Sequence, residues 1–122
     1  MPISTLLRAN ALFSGACGML CLLAAGWLQR HIPLSPGWLL AIGGMLIAYV
    51  PMLFWAAARP SPWLVRTIVL LDWGYVAIAV AFVLIRSTEF DAVGLAIAWG
   101  TSSVVALFAF VQQELSLQRQ MR

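Results

Sequence analysis

Four apolar stretches, each long enough to cross a lipid bilayer, constrain this chain more than any other feature. They cover residues 9–28, 38–58, 67–85 and 92–111, so each has 19 to 21 residues. A helix of about 20 residues, rising about 1.5 Å per residue, spans a hydrocarbon core of about 30 Å. Hydrocarbon cannot hydrogen-bond an open backbone, so the spanning segments must be helices. The pattern predicts an all-α membrane protein with four transmembrane helices.

The composition indicates the same class of protein. Hydrophobic residues make up 63% of the 122 residues and charged residues only 9%, whereas a soluble domain carries about 25% charged residues. A small soluble domain leaves much of its surface in water and could not hide this much apolar surface. We therefore expect residues 1–122 to form a single membrane domain whose main partner is the lipid bilayer.

The positive charges predict how the helices are oriented. The chain has seven arginines, no lysine and a net charge of +3. Two arginines, Arg30 and Arg86, lie on one side of the predicted membrane, and five lie on the other: Arg8, Arg59, Arg66, Arg119 and Arg122. Positive residues concentrate in cytoplasmic loops, so both termini should be cytoplasmic. The arginines are scattered at the ends of apolar stretches, which argues against nucleic acid as a partner.

The loops between the stretches are short. Connections of five to nine residues place consecutive helices side by side in opposite directions, which predicts an antiparallel up-down bundle of two hairpins. Aligning the two halves at an offset of 58 residues places Arg8 on Arg66 and Ser14 on Asp72. A parallel repeat of this kind would relate the halves by an axis along the membrane normal.

Small residues predict where the helices pack, because helices in lipid associate through close contact between small side chains. Gly18 lies four residues after Ser14, on the same helix face. Gly44 provides a similar position in the second stretch, and the pair Ala96 and Gly100 provides one in the fourth. We expect these residues to lie at helix contacts.

A proline in the second stretch predicts a bend. Pro51 lacks a backbone donor and its ring clashes with the carbonyl group of Ile47, four residues earlier. Such a bend would either open a cavity or hinge, or only give the helix its shape.

Asp72 is the only acidic residue within any of the four stretches. It lies five residues after Thr67, roughly 8 Å below the predicted cytoplasmic boundary. Ser14 lies at the same depth in the first stretch, with Asn10 one turn earlier on the same face. We expect a polar cluster of Asn10, Ser14 and Asp72, completed by a tyrosine hydroxyl from Tyr49 or Tyr75.

Two interpretations of this aspartate are open. An ionisable residue inside a membrane is by default a functional hypothesis, and a reversibly protonated carboxylate can couple proton movement to a substrate. Alternatively, Asp72 is a polar contact between helices that reaches cytoplasmic water or the side chain of Arg8 or Arg66.

The sequence also argues against several kinds of chemistry. The only histidine is His31, in a predicted outer loop, and there is no lysine for a Schiff base. Cys17 and Cys21 are too few and too isolated for a zinc site and do not form a Cys-x-x-Cys pair. We predict no cofactor and no metal, and the lack of catalytic groups argues against an enzyme acting alone.

Two short motifs carry a resemblance. The opening Leu7-Arg8-x-Asn10-x-x-x-Ser14-Gly15, together with Asp72-Trp73-x-Tyr75-Val76, resembles small, uncharacterised bacterial four-helix membrane proteins. The resemblance implies a multi-pass protein of the bacterial inner membrane and carries over no activity or functional residue. Small multidrug transporters have a similar length and helix number, but their essential carboxylate lies in the first helix, where this chain has Ser14.

Three hypotheses of function follow. The leading one is a non-enzymatic accessory or assembly subunit that acts through helix–helix or lipid contacts, in a homo-oligomer or a larger membrane complex. The second is a small oligomeric proton-coupled transporter in which Asp72 carries the proton. The third is a protein that binds a lipid or a quinone-like molecule beside Pro51.

Overall fold

The computed structural model describes residues 2–59 and 61–120, and 89% of these residues are helical. The α-helices are α1 (Ile3–Leu23), α2 (Ala25–Gln29), α3 (Pro36–Ala58), α4 (Pro62–Ile85) and α5 (Ala92–Gln120). A single 3₁₀ turn, Ser87–Glu89, lies between α4 and α5. Four of the described helices, α1, α3, α4 and α5, are long and apolar enough to cross a membrane. The all-α class and the four candidate spans predicted from sequence are therefore confirmed.

Serine–proline pairs start two of the long helices outside the apolar stretches. The side chain of Ser35 accepts a hydrogen bond from the backbone N–H of Trp38 at 3.4 Å, and that of Ser61 accepts one from Leu64 at 3.2 Å. Pro36 and Pro62 occupy the first helical turn, where the missing N–H has no partner to lose. Helix α4 consequently begins five residues before the predicted stretch 67–85.

The first predicted stretch, 9–28, is not one continuous helix. Helix α1 begins earlier, at Ile3, and ends at Leu23, where the backbone of Ala24 leaves helical geometry (φ −117°, ψ 27°). The short helix α2 then turns the chain toward α3 and buries Leu28, which is 2% exposed. No glycine or proline stands at position 24, so the sequence gives no local signal for this break.

Helices α1 and α3 form the most extensive contact in the chain, and two glycines bring their backbones together. A Cβ atom on Gly18 would lie 3.1 Å from the carbonyl oxygen of Gly43, and one on Gly43 would lie 3.0 Å from that of Gly18. Gly18 thus occupies a helix contact, as expected. Its partner is Gly43, which the sequence reasoning did not select.

Three other predicted packing residues do not pack within the chain. A Cβ atom on Gly44 or on Gly100 would meet nothing within 4 Å, and Ala96 is exposed. Gly44 follows Gly43 by one residue, which rotates it about 100° around the helix axis and away from α1. For these three residues the predicted helix contacts stay a prediction, one that now concerns contacts with another chain.

Helices α4 and α5 form the second extensive contact, and the two helix pairs touch each other much less. Between the pairs, the rings of Phe13 and Phe108 lie 6.0 Å apart. An apolar cluster fills the end of the molecule where α1 and α4 begin and α3 ends; its fully buried members include Leu7, Leu53 and Ile68.

The connecting loops join the two pairs at the opposite end. The ring nitrogen Nδ1 of His31 lies 2.5 Å from Oδ2 of Asp91, while Oδ1 of Asp91 accepts a hydrogen bond from the backbone N–H of Gly94 at 2.8 Å. The hydrogen bond from Gly94 and, to a lesser extent, the one with His31 hold the pKa of Asp91 below its usual value. A Cβ atom at position 94 would lie 2.0 Å from the carbonyl oxygen of His31, so only glycine allows this approach.

The α1–α3 contact generates a test with a neighbouring control. We expect Gly43→Leu to lower the free energy of unfolding by about 1–3 kcal/mol, because its Cβ alone would already lie 3.0 Å from the Gly18 carbonyl oxygen and the larger side chain would push the two helices apart. Gly44→Leu should leave it unchanged, since that position faces open space. Thermal and denaturant unfolding in detergent measures both variants, and equal stabilities would contradict the contact.

Candidate functional site

The strongest site candidate is the polar cluster around Asp72, in the interior of the molecule. Asp72 lies on α4 and its side chain is buried, with 4% exposure. It is ten residues from the first residue of α4, about 15 Å along the helix axis. Asp72 is therefore farther from the end of its helix than the apolar boundary at Thr67 indicated.

Two helices, α1 and α3, supply the groups that surround this carboxylate of α4. The side-chain amide Nδ2 of Asn10, on α1, donates to Oδ2 of Asp72 at 3.0 Å, and the hydroxyl of Tyr49, on α3, donates to Oδ1 at 3.1 Å. Ser14 donates to Oδ1 of Asn10 at 3.2 Å and so orients the amide. The structure thus brings together four residues that the sequence grouped: Asn10, Ser14, Tyr49 and Asp72.

The other candidate tyrosine belongs elsewhere. The hydroxyl of Tyr75 donates to Oγ1 of Thr101 on α5 at 3.4 Å. Tyr75 therefore ties α4 to α5, within the second helix pair, and is outside the Asp72 cluster. The choice between the two tyrosines depends on how α3 is rotated beside α4, which sequence spacing does not specify.

Neutral donors surround the Asp72 carboxyl group in place of a cation. Within the described residues, the ion pairs are His31–Asp91 and Arg86–Glu89, both at the loop end of the molecule. Arg8 and Arg66 are exposed and make no ion pair with Asp72. The suggested contact between Asp72 and either arginine is therefore wrong. Hydrogen bonds to an ionised acceptor are about twice as strong as neutral ones, which makes each donor important.

The Tyr49 hydroxyl has two acceptors within reach. One is Oδ1 of Asp72 at 3.1 Å, and the other is the backbone carbonyl oxygen of Ile68 at 3.4 Å. Its single hydrogen can point to the carboxylate when Asp72 is ionised. When Asp72 is protonated, the carboxyl group can donate to the tyrosine oxygen while the tyrosine donates to Ile68. The cluster can therefore hold a proton or release it without moving a helix.

The chemistry available to this cluster is limited. It offers one carboxyl group, one amide and two hydroxyls, and among the described residues no second acid or base stands beside Asp72 to activate a hydroxyl as a nucleophile. Proton binding and hydrogen bonding between helices are the roles that these groups support.

Two buried polar residues on α5 lie outside the predicted cluster, and Gln112 was missed by sequence reasoning. Gln112 is 0% exposed, and its side-chain atoms Oε1 and Nε2 have no hydrogen-bond partner among the described residues; the same holds for Oγ of Ser102. Gln112 directly follows the predicted stretch 92–111. Helix α5 continues to Gln120, however, and Leu115 packs against the apolar cluster at that end. The sequence signal for this burial was the spacing of three between residues 109, 112 and 115, which places Gln112 on the same helix face as Ala109 and Leu115.

Comparison with protein-family models, with curated proteins and with solved structures finds no match for this chain.

The cluster predicts energetic coupling between Tyr49 and Asp72. In a double-mutant cycle with Tyr49→Phe and Asp72→Asn, we expect a coupling free energy of about 1–2 kcal/mol, because the hydroxyl donates to a carboxylate. The same cycle with Tyr75→Phe should be additive within about 0.5 kcal/mol, because Tyr75 bonds to Thr101 instead. Unfolding free energies in mixed micelles measure both cycles. Equal coupling for the two tyrosines would contradict the assigned hydrogen bonds.

Proposed function

We propose that this chain is a non-enzymatic, multi-pass protein of the bacterial inner membrane that acts as an accessory or assembly subunit through its outward helix faces. In this proposal the four long helices form an antiparallel up-down bundle with both termini in the cytoplasm. The arginine distribution supports that orientation. Gly18 lies against Gly43 and the earlier Gly15 against the later Val50, and this reversed order supports an antiparallel first pair.

An internal repeat of two parallel-related hairpins belongs to the same proposal. Adding the 58-residue offset to α1 (Ile3–Leu23) gives residues 61–81, which begin one residue before α4 begins and end within it. Adding the same offset to α3 (Pro36–Ala58) gives residues 94–116, which lie entirely within α5. Ser14 and its equivalent Asp72 both belong to the polar cluster. These correspondences support a repeat in which equivalent positions of the two halves, 14 and 72, both belong to the central polar cluster.

The observation that carries the proposed function is an unused close-packing face on α5. Ala96, Gly100, Ser103 and Leu107 follow one another at spacings of four, three and four, and all are exposed. The Ser103 hydroxyl donates to the carbonyl oxygen of Trp99 at 2.7 Å, so the face presents no unmet donor to lipid. The three small residues of this face, Ala96, Gly100 and Ser103, would let helix backbones approach closely in a membrane. A second copy or a partner helix is the occupant that this face fits.

This proposal predicts that association and stability respond separately at Gly100. We expect Gly100→Leu to abolish self-association in mild detergent, because the added side chain would block close approach of a second helix. The unfolding temperature of the monomer should stay unchanged, since a Cβ atom there meets nothing within the chain. Gly44→Leu is the matched control, because it too faces open space but lies on α3. Size-exclusion chromatography with light scattering reports copy number, and an unchanged copy number in Gly100→Leu would contradict the proposal.

A second candidate function, a small proton-coupled transporter, is favoured by the two acceptors available to Tyr49. A buried carboxyl group with no cation beside it in the described chain, and with a hydroxyl that can adapt to either protonation state, suits reversible proton binding. In this alternative Asp72 carries the coupled proton and an oligomer provides the substrate path.

The transporter alternative predicts proton movement that depends on Asp72. In proteoliposomes with a trapped pH-sensitive dye and an imposed potassium diffusion potential, the wild-type protein should raise the rate of proton entry above that of empty liposomes. Asp72→Asn should return the rate to background, because an amide cannot carry the proton. Equal rates for the wild type and Asp72→Asn would eliminate the role of Asp72, and Glu114→Gln serves as the control for an exposed acid.

A further inference from the structure

The side chain of Gln112, on α5, is buried without a hydrogen-bond partner. It is 0% exposed, and neither Oε1 nor Nε2 has a partner among the described residues. A primary amide can donate two hydrogen bonds and accept two. Burying such a group without any of them is costly, and buried polar groups nearly always bond to protein or to ordered water. Gln112 therefore indicates a small polar ligand inside the molecule.

Contacts on either side of Gln112 show which part of the interior it faces. One turn earlier on the same face of α5, the ring of Phe108 lies 6.0 Å from that of Phe13 on α1. One turn later on that face, Leu115 packs against the apolar cluster, at the end of the molecule where α1 begins. The two helices therefore run in opposite directions, and Gln112 lies between two positions of α5 with known neighbours.

Asn10 occupies the corresponding place on α1. It lies one turn before Phe13 on the same face and is 1% exposed. Because α1 and α5 run in opposite directions, one turn before Phe13 and one turn after Phe108 are the same depth, within about 2 Å by helix rise. Asn10 and Gln112 are therefore two buried amides at one depth, on facing sides of the same helix contact.

A hydrogen bond between α4 and α5 gives the same depth independently. Nε1 of Trp73 donates to Oε1 of Gln113 at 3.4 Å, and these two residues directly follow Asp72 and Gln112. Gln112 thus lies at the level of the Asp72 cluster, although it forms no direct hydrogen bond with any member of that cluster.

The Asn10 amide has hydrogen-bonding capacity left. One of the two hydrogens on Nδ2 is donated to Asp72 at 3.0 Å, and Oδ1 accepts one bond, from Ser14, at 3.2 Å. An amide of this kind has a second N–H group and a second lone pair. Among the described residues, no further bond uses either of them.

We infer that a bound water molecule joins Gln112 to Asn10 and so extends the Asp72 cluster to α5. Water can donate and accept at once, and a buried water typically makes about three hydrogen bonds to groups that lack other partners. Both amides are enclosed by the helices, which suits a ligand of this size.

The water would complete the polar connections of the bundle. The described side-chain hydrogen bonds from α5 to another long helix go to α4, through Gln113 and Thr101. A water between Gln112 and Asn10 adds a bond from α5 to α1, across the two helix pairs. It also brings a proton donor and acceptor to within one side chain of Asp72. The inference goes beyond the proposed function and does not depend on self-association.

NMR spectroscopy of the full-length protein in detergent, with ¹⁵N-labelled glutamine, tests the site directly. We expect a cross-peak between the side-chain NH₂ group of Gln112 and water, with the sign that marks a long-lived bound molecule. The signal is assigned through the backbone of residue 112 and should disappear in Gln112→Met. The absence of a water cross-peak in the wild type would overturn the inference, whether or not the variant folds.

The direction of a stability change gives a second test. Methionine has nearly the shape of glutamine without its polar group. If the Gln112 amide had no partner, Gln112→Met would raise the unfolding temperature, because it removes a buried unsatisfied group. With a bound water, the substitution removes hydrogen bonds and should lower that temperature by roughly 4 °C. Gln118→Met makes the same change at an exposed position of α5 and should leave it unchanged.

The bridge to α1 is tested by combining two substitutions. Asn10→Leu removes the hydrogen bond to Asp72 as well, so the informative quantity is its coupling to position 112. Gln112→Met should lower the unfolding temperature much less in the Asn10→Leu background than in the wild type, because the water has already lost one partner. Gln118→Met should behave alike in both backgrounds.

Two results of these variants would contradict the inference: a higher unfolding temperature in Gln112→Met, or additive effects of Gln112→Met and Asn10→Leu. Coupling without a water cross-peak would also overturn it, because the Gln112 amide would then turn to bond Asn10 directly. None of these measurements reports self-association, which Gly100→Leu tests separately.

Discussion

In hydrocarbon, a backbone N–H or C=O group without a partner costs several kcal/mol, and the rest of this structure depends on that constraint. Four long helices satisfy their own backbones and leave large apolar side chains on the outside, among them Ile78 at 73% and Ile85 at 81% exposure. In water such a surface would drive aggregation. In lipid it is simply solvated, and the hydrophobic effect no longer holds one helix against another.

Cohesion therefore comes from close contacts and polar bonds at a few points. Gly18 and Gly43 bring the backbones of α1 and α3 together within the first pair. Between the pairs, where apolar contact is sparse, Asp72 receives hydrogen bonds from Asn10 and Tyr49 and so connects α4 to both helices of the other pair. At the opposite end of the molecule, the hydrogen bond between His31 and Asp91 joins the loops of the two hairpins and forms a second link between the pairs. The same carboxyl group that would be costly in lipid is thus central to the assembly of the fold.

The cluster was predictable in part, for an identifiable physical reason. A carboxylate inside an apolar stretch needs partners at its own depth, and helix rise places Asn10 and Ser14 there without knowledge of the packing. Rotation about the helix axis was not predictable in the same way. Gly43 and Gly44 differ by one residue, and no amphipathic contrast tells them apart when the lipid outside is as apolar as the protein inside. Gln112 was missed because α5 continues past its apolar stretch and buries a polar side chain there.

The sequence by itself determined the all-α class of this protein, the number of its long helices and the position of Asp72 inside an apolar stretch. Length, hydropathy and charge can be read along the chain without knowledge of how the helices pack. Only the tertiary structure decided which of two tyrosines reaches Asp72 and which glycines face another helix. Those outcomes depend on how each helix is rotated about its own axis toward its neighbours. A helix surface that is apolar all round gives no sequence signal for that rotation.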